Sequence, residues 1–120
     1  MNDASPSSIV LRFIEYVNRG DIEGLDSLIS KDLVFTDIRG RVFREKGFMA
    51  GYLAEFPDYK IDVRHVLRGG DGVAIIGKTT GSHVLPGIEE RATLVWTAEV
   101  RDGLISQWRI YSDEEYAERS

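Results

Sequence analysis

The sequence predicts an α+β fold, a cone-shaped half-barrel in which three N-terminal helices pack in a strongly curved, mixed or antiparallel sheet. Two observations predict it. Apolar residues recur at helical spacing early in the chain, whereas from Tyr59 onward they alternate as in strands. The pair Asp102-Gly103 then predicts a tight type I′ turn before a last strand. Because such a cone encloses a pocket, the residues that line it are expected to decide the function.

Three helices are predicted before residue 57. The first has apolar residues at helical spacing, begins after an N-cap at Ser7 or Ser8, and ends at Gly20, where a left-handed residue is favoured. Asp21 caps a second, short helix. Residues 45–56 form a third helix, which Pro57 ends. Between the second and third helices, residues 33–37 are rich in strand formers and predict the first strand.

The rest of the chain is predicted to be a meander of strands. Residues 60–68, 73–84 and 91–101 alternate between apolar and polar side chains. Gly77 and Gly81 indicate bends or bulges in the second of these strands. Residues 113–120 are charged and are expected to fray or to form one helical turn.

Composition excludes several classes of function. The 120 residues are enough for one domain, residues 1–120, and the net charge of −5 disfavours nucleic acid and anionic membranes as partners. Without cysteine, a disulfide framework and thiolate catalysis are excluded. Neither a signal peptide nor an apolar run of ~20 residues is present. We therefore expect a cytoplasmic protein.

The predicted hairpins assign residues to the two faces of the sheet. Around Asp102-Gly103, Trp96 should lie opposite Arg109 and Leu94 opposite Tyr111. If residues 85–88 form the preceding turn, Gly77 lies opposite Trp96 and His83 opposite Glu90. One face then carries His83, Gly77, Ile75, Leu94, Trp96, Arg109 and Tyr111, and the other carries Ala74, Ile76, Val95, Trp108 and Ile110 with His65 and Val63. A single bulge would exchange these memberships. Both faces are apolar enough to be covered. Since the helices can cover only one face of the sheet, the other face predicts a homodimer.

Short motifs in a fixed order carry a resemblance to a known family. They are Arg12-Phe13, Asn18-Arg19-Gly20-Asp21, Leu25, Leu28, Phe35-Thr36-Asp37, Thr80-Gly81-Ser82-His83, Asp102-Gly103-Leu104-Ile105 and Arg109-Ile110-Tyr111-Ser112-Asp113. Over nearly the whole chain this order resembles the nuclear transport factor 2-like superfamily, particularly its ketosteroid isomerase-like and SnoaL-like polyketide cyclase branch. The resemblance implies the cone fold. It does not imply one activity, because that fold hosts isomerases, cyclases, dehydratases, hydrolases and binding modules.

The resemblance also implies site residues. Asp37 falls where the isomerases carry their general base, and His83 resembles the pocket histidine of the cyclases. Phe13 stands where the steroid isomerases have an oxyanion-hole tyrosine, and Trp96 stands near the position of their second acidic residue. A steroid isomerase with that oxyanion hole is therefore not expected.

Each candidate also has a structural interpretation. Asp37 could act as a general base among aromatic side chains, or it could hold the turn that follows it. His83 could shuttle protons, or it could pair with Glu90 at a strand end. Trp96 could donate its indole N–H to a substrate oxygen, or it could simply pack. Arg109 could bind a carboxylate or oxyanion, or it could form a salt bridge with Asp37 or Glu99.

The remaining candidates complete the predicted site. Tyr52 and Tyr16 could offer hydroxyl groups to the pocket. The predicted pocket wall consists of Phe13, Phe35, Phe48, Phe56, Ile75, Leu94 and Tyr111. His65 is assigned to the opposite face. With the two histidines on different faces and no cysteine, we expect no metal site, and nothing in the sequence indicates a cofactor.

Two functions remain open from the sequence. The leading one is a cofactor-independent enzyme that performs isomerisation, cyclisation or dehydration on a small apolar carbonyl compound. Asp37 and His83 would be its catalytic residues. The second is a non-catalytic module that binds a small ligand or dimerises on the same fold. The two differ in whether a proton-transfer group opens into the cavity.

Overall fold

The computed structural model of the protein describes residues 5–45 and 47–114. Its helices are α1 (Pro6–Arg19), α2 (Ile22–Ser27), α3 (Phe48–Glu55) and α4 (Pro86–Arg91). Its strands are β1 (Ile29–Thr36), β2 (Val42–Phe43), β3 (Lys60–Gly69), β4 (Gly72–Thr80), β5 (Leu94–Arg101) and β6 (Leu104–Ser112). They form one curved sheet in the order β2-β1-β6-β5-β4-β3, antiparallel except between β1 and β6. The predicted α+β cone with a mixed sheet is thereby confirmed.

The caps of α1 and α2 follow from the local sequence. Ser5, rather than Ser7 or Ser8, is the N-cap of α1: its Oγ accepts the Ser8 N–H at 3.3 Å. Pro6 suits the first helical position, because a backbone N–H there would have no partner within the helix. Gly20 ends the helix with φ 67°, and α2 then begins at its predicted cap, Asp21. At 14 residues, α1 is the longest helix in the described ranges, and a bilayer crossing needs ~20.

The helix α1 packs its apolar stripe on the inner face of the sheet. The ring centroid of Phe13 lies 5.0 Å from that of Trp108. At its far end, Asn18 fixes the helix to β3, because its side-chain amide donates to the Ile61 carbonyl at 2.9 Å and accepts from the Ile61 N–H at 2.7 Å. These contacts hold α1 inside the cone.

The last hairpin contains a bulge that changes the predicted register. Its turn is type I′ as predicted, with φ 53° at Asp102 and 77° at Gly103. A register shift follows at Glu99 and Val100, with Ser106 as the extra residue of β6. Beyond it, Trp96 lies opposite Ile110, and Val95 lies opposite Tyr111. The predicted pairing of Trp96 with Arg109 and of Leu94 with Tyr111 is therefore wrong by one residue.

This shift moves Arg109 and Tyr111 to the outer face of the sheet. The Arg109 guanidinium carbon lies 4.9 Å from the centre of the Tyr111 ring, and Tyr111 is 44% exposed. Trp108 is 2% exposed and faces inward instead. The prediction that Arg109 and Tyr111 line the pocket beside Trp96 is therefore wrong, since one added residue reverses the faces of all that follow.

The central strands agree with the predicted faces, with exceptions at the edges. Their inner face carries Ile75, Gly77, Leu94 and Trp96, and their outer face carries Ala74, Ile76 and Val95. In β3, a bulge between Val63 and His65 places Val63 on the inner face, opposite Gly77. His65 pairs with Ile76 and is exposed. The prediction that Val63 and His65 share a face is therefore wrong.

A short helix replaces the turn predicted between β4 and β5. Ile75 lies opposite Trp96, and Gly77 lies opposite Leu94. Residues 86–91 form α4, so the predicted pairing of His83 with Glu90 is wrong. A proline at the first helical position, Pro86, was the signal for this helix. Of the predicted tail, residues 113–120, all but the first two lie outside the described residues.

Candidate active site

A cavity of about 230 Å³ opens between the inner face of the sheet, α3 and the β1–β2 connection. Apolar and aromatic side chains form most of its wall: Phe35, Ile38, Phe43, Phe48, Met49, Tyr59, Trp108 and Ile110. Polar side chains also line it: Asp37, Arg39 and Arg41 after β1, and Tyr52 and His83 from α3 and the segment after β4. The volume exceeds the ~150 Å³ of an apolar cavity that binds benzene. The cavity is therefore large enough for a small cyclic molecule.

Three aromatic rings in mutual contact define the wall between β1, β2 and α3. Phe48 lies with its ring centroid 4.6 Å from that of Phe35 and 4.5 Å from that of Phe43. Phe43 faces Phe35 at 6.1 Å between centroids. Aromatic pairs at such distances contribute about 0.5–1.5 kcal/mol beyond the burial of their surface. These contacts therefore stabilise the apolar wall.

The first polar group is the arginine turn, which we define as residues 37–41 between β1 and β2. Asp37 organises it. Its Oδ1 accepts the backbone N–H groups of Arg39 and Arg41, both at 2.9 Å, and its Oδ2 accepts from Arg41 Nε at 2.7 Å. Gly40 completes the turn with φ 81°. Of the two interpretations of Asp37, this geometry matches the residue that holds a turn.

The second polar group is the histidine loop, which we define as residues 81–85 between β4 and α4. His83 Nδ1 lies 2.8 Å from the Tyr52 hydroxyl oxygen, which also accepts the His83 backbone N–H at 3.2 Å. Of the two ring nitrogens, Nε2 is thus the one left for a ligand. In the tautomer with the ring proton on Nδ1, Nε2 has a lone pair that can accept a proton, and in the imidazolium form Nε2–H can donate it. The pair can therefore take up and return a proton.

Burial keeps the Tyr52 hydroxyl protonated. Loss of hydration is the main cause that raises its pKa above the ordinary 10.0, and the charge of Glu89 raises it further. The hydrogen bond from the His83 backbone acts in the opposite direction. Near neutral pH, Tyr52 is thus a neutral hydroxyl group that can donate to the imidazole ring or accept from it.

Glu89 binds the first part of the histidine loop through hydrogen bonds. The sequence analysis did not identify it as a site residue. It lies in the first turn of α4 and is 7% exposed. One of its carboxylate oxygens accepts from Thr79 Oγ1 at 2.7 Å and from the Ser82 N–H at 3.2 Å. These bonds hold the residue before His83. A glutamate three residues after Pro86 was the available signal, since acidic residues favour the first turn of a helix.

The structure brings together only some of the predicted site residues. Asp37, His83, Tyr52, Phe35 and Phe48 line the cavity. Phe13, Ile75, Leu94 and Trp96 are buried in the core, and Phe56 packs beside Tyr52 and His83 without lining the cavity. Trp96 is 0% exposed, and its indole N–H has no hydrogen-bond partner among the described residues.

Tyr16 also lies away from the cavity. Its ring packs on Gly24 of α2 so closely that a Cβ atom there would overlap it, 2.5 Å from the nearest ring carbon, Cδ1. Tyr16 thus fixes the angle between α1 and α2.

The sequence analysis did not identify eight of the residues that line the cavity: Ile38, Arg39, Arg41, Phe43, Met49, Tyr59, Trp108 and Ile110. For Trp108 and Ile110 the reason is the bulge in β6, which no local sequence signal marks.

Comparison with known proteins agrees with this architecture. The family model of the SnoaL-like domain matches residues 10–108. No curated protein matches the chain. Among solved structures, the chain is similar to IdmH from Streptomyces antibioticus, a candidate polyketide cyclase, with 28% identity, a TM-score of 0.71 and coverage of 90% of this chain and 91% of that one.

Two further structures share the fold at lower identity. A candidate ketosteroid isomerase from Kribbella flavida is 19% identical, with a TM-score of 0.76 and coverage of 96% of this chain and 82% of that one. An epoxide hydrolase from M. tuberculosis, similar to LEH, is also 19% identical, with a TM-score of 0.71 and coverage of 90% and 82%. The resemblance found in the motifs is confirmed, and the chain belongs to the SnoaL-like domain family within the NTF2-like fold.

Proposed function

We propose that the protein is an enzyme that performs cofactor-independent acid–base chemistry on a small, largely apolar carbonyl compound. One observation carries the proposal: His83 lines an apolar cavity with Nδ1 held by Tyr52, which leaves Nε2 for a substrate. A base or acid held by a buried partner at the wall of an apolar pocket is the arrangement that proton transfer requires. Asp37 serves as the organiser of the arginine turn, because its oxygens already accept three N–H groups.

The proposed chemistry starts at the carbon next to the carbonyl group. His83 Nε2 takes a proton from that carbon, the C–H electron pair becomes the C=C bond of the enolate, and the negative charge moves to the carbonyl oxygen. The imidazolium then donates through Nδ1–H to the Tyr52 oxygen. Return of the proton to another carbon gives an isomer. Attack of the enolate carbon on a second carbonyl group of the same molecule breaks that C=O π bond and closes a ring, and the imidazolium proton passes to the resulting alkoxide oxygen.

Deuterium exchange tests this step without knowledge of the natural substrate. Small aryl ketones such as 4-acetylbenzoate are incubated with the protein in D₂O, and loss of the α-proton signal is followed by NMR. The wild type should accelerate exchange, and His83→Gln should lower that rate by about 10²- to 10⁴-fold. His65→Gln is the matched control, because His65 is exposed on the outer face and its loss should leave the rate unchanged.

Two results would contradict the proposed roles. If Asp37→Asn abolished exchange while His83→Gln did not, Asp37 would be the base, as the resemblance implied. If the wild type bound aryl ketones without accelerating exchange, the second candidate, a non-catalytic binding module, would be the function. The hydrogen bond between Tyr52 and His83 favours the enzyme, because it engages only one of the two ring nitrogens.

We further propose a homodimer formed through the outer face of the sheet. That face combines half-buried apolar side chains, Ile76 and Val95, with charges of both signs, Arg109 and Glu99. A patch that holds both signs can complement its own copy across a two-fold axis. Sedimentation velocity should show a dimer that Ile76→Glu dissociates and that Val42→Glu, at an exposed edge, leaves intact. A wild type that stays monomeric at a concentration on the order of 10⁻⁴ M would overturn the dimer.

The cytoplasm remains the predicted compartment.

A further inference from the structure

We propose that Glu89 is a positioning residue that fixes His83 against Tyr52 by holding the histidine loop through Ser82. This inference rests on the proposed function, since it concerns how the proposed base is oriented. It adds a buried carboxylate that takes no part in the proton transfer itself. Three observations carry it: the partners of Glu89, its burial, and its place between β4 and the histidine loop.

The Glu89 carboxylate connects three segments of the chain. It belongs to α4, and one of its oxygens accepts from Thr79 Oγ1 at 2.7 Å and from the Ser82 N–H at 3.2 Å. Thr79 lies in β4 and pairs with Ile61 of β3, so it is a fixed point of the sheet. The carboxylate therefore ties the histidine loop to the sheet at the residue directly before His83.

The backbone on both sides of His83 is held by side-chain acceptors. The Ser82 N–H donates to Glu89, and the Val84 N–H donates to Ser82 Oγ at 3.1 Å. Between them, the His83 N–H donates to the Tyr52 hydroxyl oxygen at 3.2 Å. Glu89 connects the first of these successive N–H groups to β4. Loss of its carboxylate would release the start of the segment that carries the imidazole ring.

Burial makes this carboxylate costly to keep for packing alone. Glu89 is 7% exposed, and both donors to its oxygen in the described ranges are neutral groups. A buried carboxylate with neutral partners contributes less to stability than a well-packed apolar side chain of similar size. Its charge also acts on the proposed pair: after loss of hydration, which is the main cause, the charge of Glu89 raises the pKa of Tyr52. The carboxylate therefore lies close enough to the pair to influence it.

A positioning role predicts which kinetic constant changes. A displacement of about 1 Å in a reacting group can lower a rate about 10²-fold. The aromatic wall that contacts the ligand is built from β1, β2 and the start of α3, through Phe35, Phe43 and Phe48. Loss of Glu89 should therefore lower kcat for proton exchange and leave KM unchanged.

Substitutions at residue 89 test this with 4-acetylbenzoate in D₂O, whose exchange is measured over a range of ketone concentrations. Glu89→Met keeps the length of the side chain but removes both acceptor oxygens, and it should lower kcat about 10- to 100-fold at unchanged KM. Glu89→Gln keeps one acceptor oxygen and should recover most of that loss. Glu90→Met is the matched control, because Glu90 is exposed on the same helix, and it should leave kcat unchanged.

Two measurements separate positioning from a loss of stability. Long-range proton–nitrogen NMR shows which ring nitrogen of His83 carries the proton, and His83→Gln assigns the signals. Well below the melting temperature, Glu89→Met should shift these signals and Glu90→Met should not. In a double-mutant cycle, Glu89→Met should cost little further kcat once His83→Gln is present, because the two residues act as one unit. Independent, additive losses would overturn the inference.

Thr79→Val carries the test if Glu89→Met does not fold. It keeps the bond between Glu89 and Ser82 but removes the donor that fixes the carboxylate to β4. It should lower kcat about three- to tenfold, as the loss of one hydrogen bond provides, and should shift the His83 ring signals. Unchanged kcat together with unchanged His83 signals, in whichever of these two variants folds, overturns the positioning role.

The same experiments separate this inference from the proposed function. If the wild type does not accelerate exchange, but Glu89→Met shifts the His83 signals and Glu90→Met does not, the positioning role stands and the proposed function fails. If exchange proceeds through His83 and Glu89→Met alters neither kcat nor the His83 signals, the proposed function stands and the positioning role fails.

Discussion

The two polar ends of the pocket differ in how far apart along the chain their partners lie. In the arginine turn, the carboxylate of Asp37 is satisfied by groups two and four residues away. In the histidine loop, His83 depends on a hydroxyl group 31 residues away, on Tyr52. The first arrangement uses the carboxylate to build a turn. The second engages one ring nitrogen of His83 and leaves the other for the proton transfer that we propose. A titratable residue whose partners are all local is thus the weaker candidate for catalysis, even when it lines the cavity.

The largest difference between the two ends should appear when their glycines are changed. Gly81 begins the histidine loop with φ 73°, and a Cβ atom there would lie 2.6 Å from the Asp58 carbonyl carbon. Gly40 in the arginine turn has φ 81° but nothing within 4 Å of such an atom. Gly81→Ala should lower the free energy of unfolding by about 2–5 kcal/mol through strain and overlap, and Gly40→Ala by about 1–2 kcal/mol through strain alone. Urea denaturation measures both, and equal losses would contradict the close approach at Gly81.

The arginine turn itself should show which part of Asp37 matters. Asp37→Ala removes the acceptor of two backbone N–H groups and should lower the free energy of unfolding by about 1–3 kcal/mol. Arg41→Gln removes the ion pair with Asp37, whose arginine side chain is 55% exposed, and should cost about 0–1 kcal/mol. Thermal and urea unfolding compare the two variants.

Asp37→Asn gives the complementary test of the same residue. Because the carboxylate is satisfied in the folded protein, its neutral isostere should melt at a lower temperature than the wild type. A higher melting temperature would indicate a carboxylate held without adequate partners, as expected of a functional base. That result would shift the catalytic assignment from the histidine loop to the arginine turn.

The smallest effect concerns the pH dependence of stability at the histidine loop. Burial, aided by Glu89, raises the pKa of Tyr52 in the folded protein above 10.0, so the folded state holds the phenol proton more tightly than the unfolded state. The stabilisation is fully present below pH 10 and is lost as the pH rises through the folded-state pKa. The gap in stability between the wild type and Tyr52→Phe should therefore narrow from pH 9 to pH 11. A constant gap across this range would show that Tyr52 does not titrate in this way.

Strands with and without a bulge show where sequence patterns fail. The faces of β4 and β5 follow from strict alternation, and both were predicted correctly. In β3 and β6 a bulge inserts one residue, and the prediction fails beyond it. A bulge forms where it improves pairing with the neighbouring strand, so its position depends on contacts between strands. Alternation within one strand does not contain that information.

The sequence by itself determined the order of the elements, the helix caps at Gly20 and Asp21, the turn at Asp102-Gly103 and the cone fold. These depend on local propensity and on periodicity. Tertiary structure alone decided which residues meet in the pocket. Three features depend on how distant segments are placed against one another. They are the pairing of Tyr52 with His83, the hydrogen bond from Ser82 to Glu89, and the position of Trp108, instead of Arg109, on the inner face. Such contacts join residues far apart in the chain, and a single inserted residue changes them without altering any local pattern.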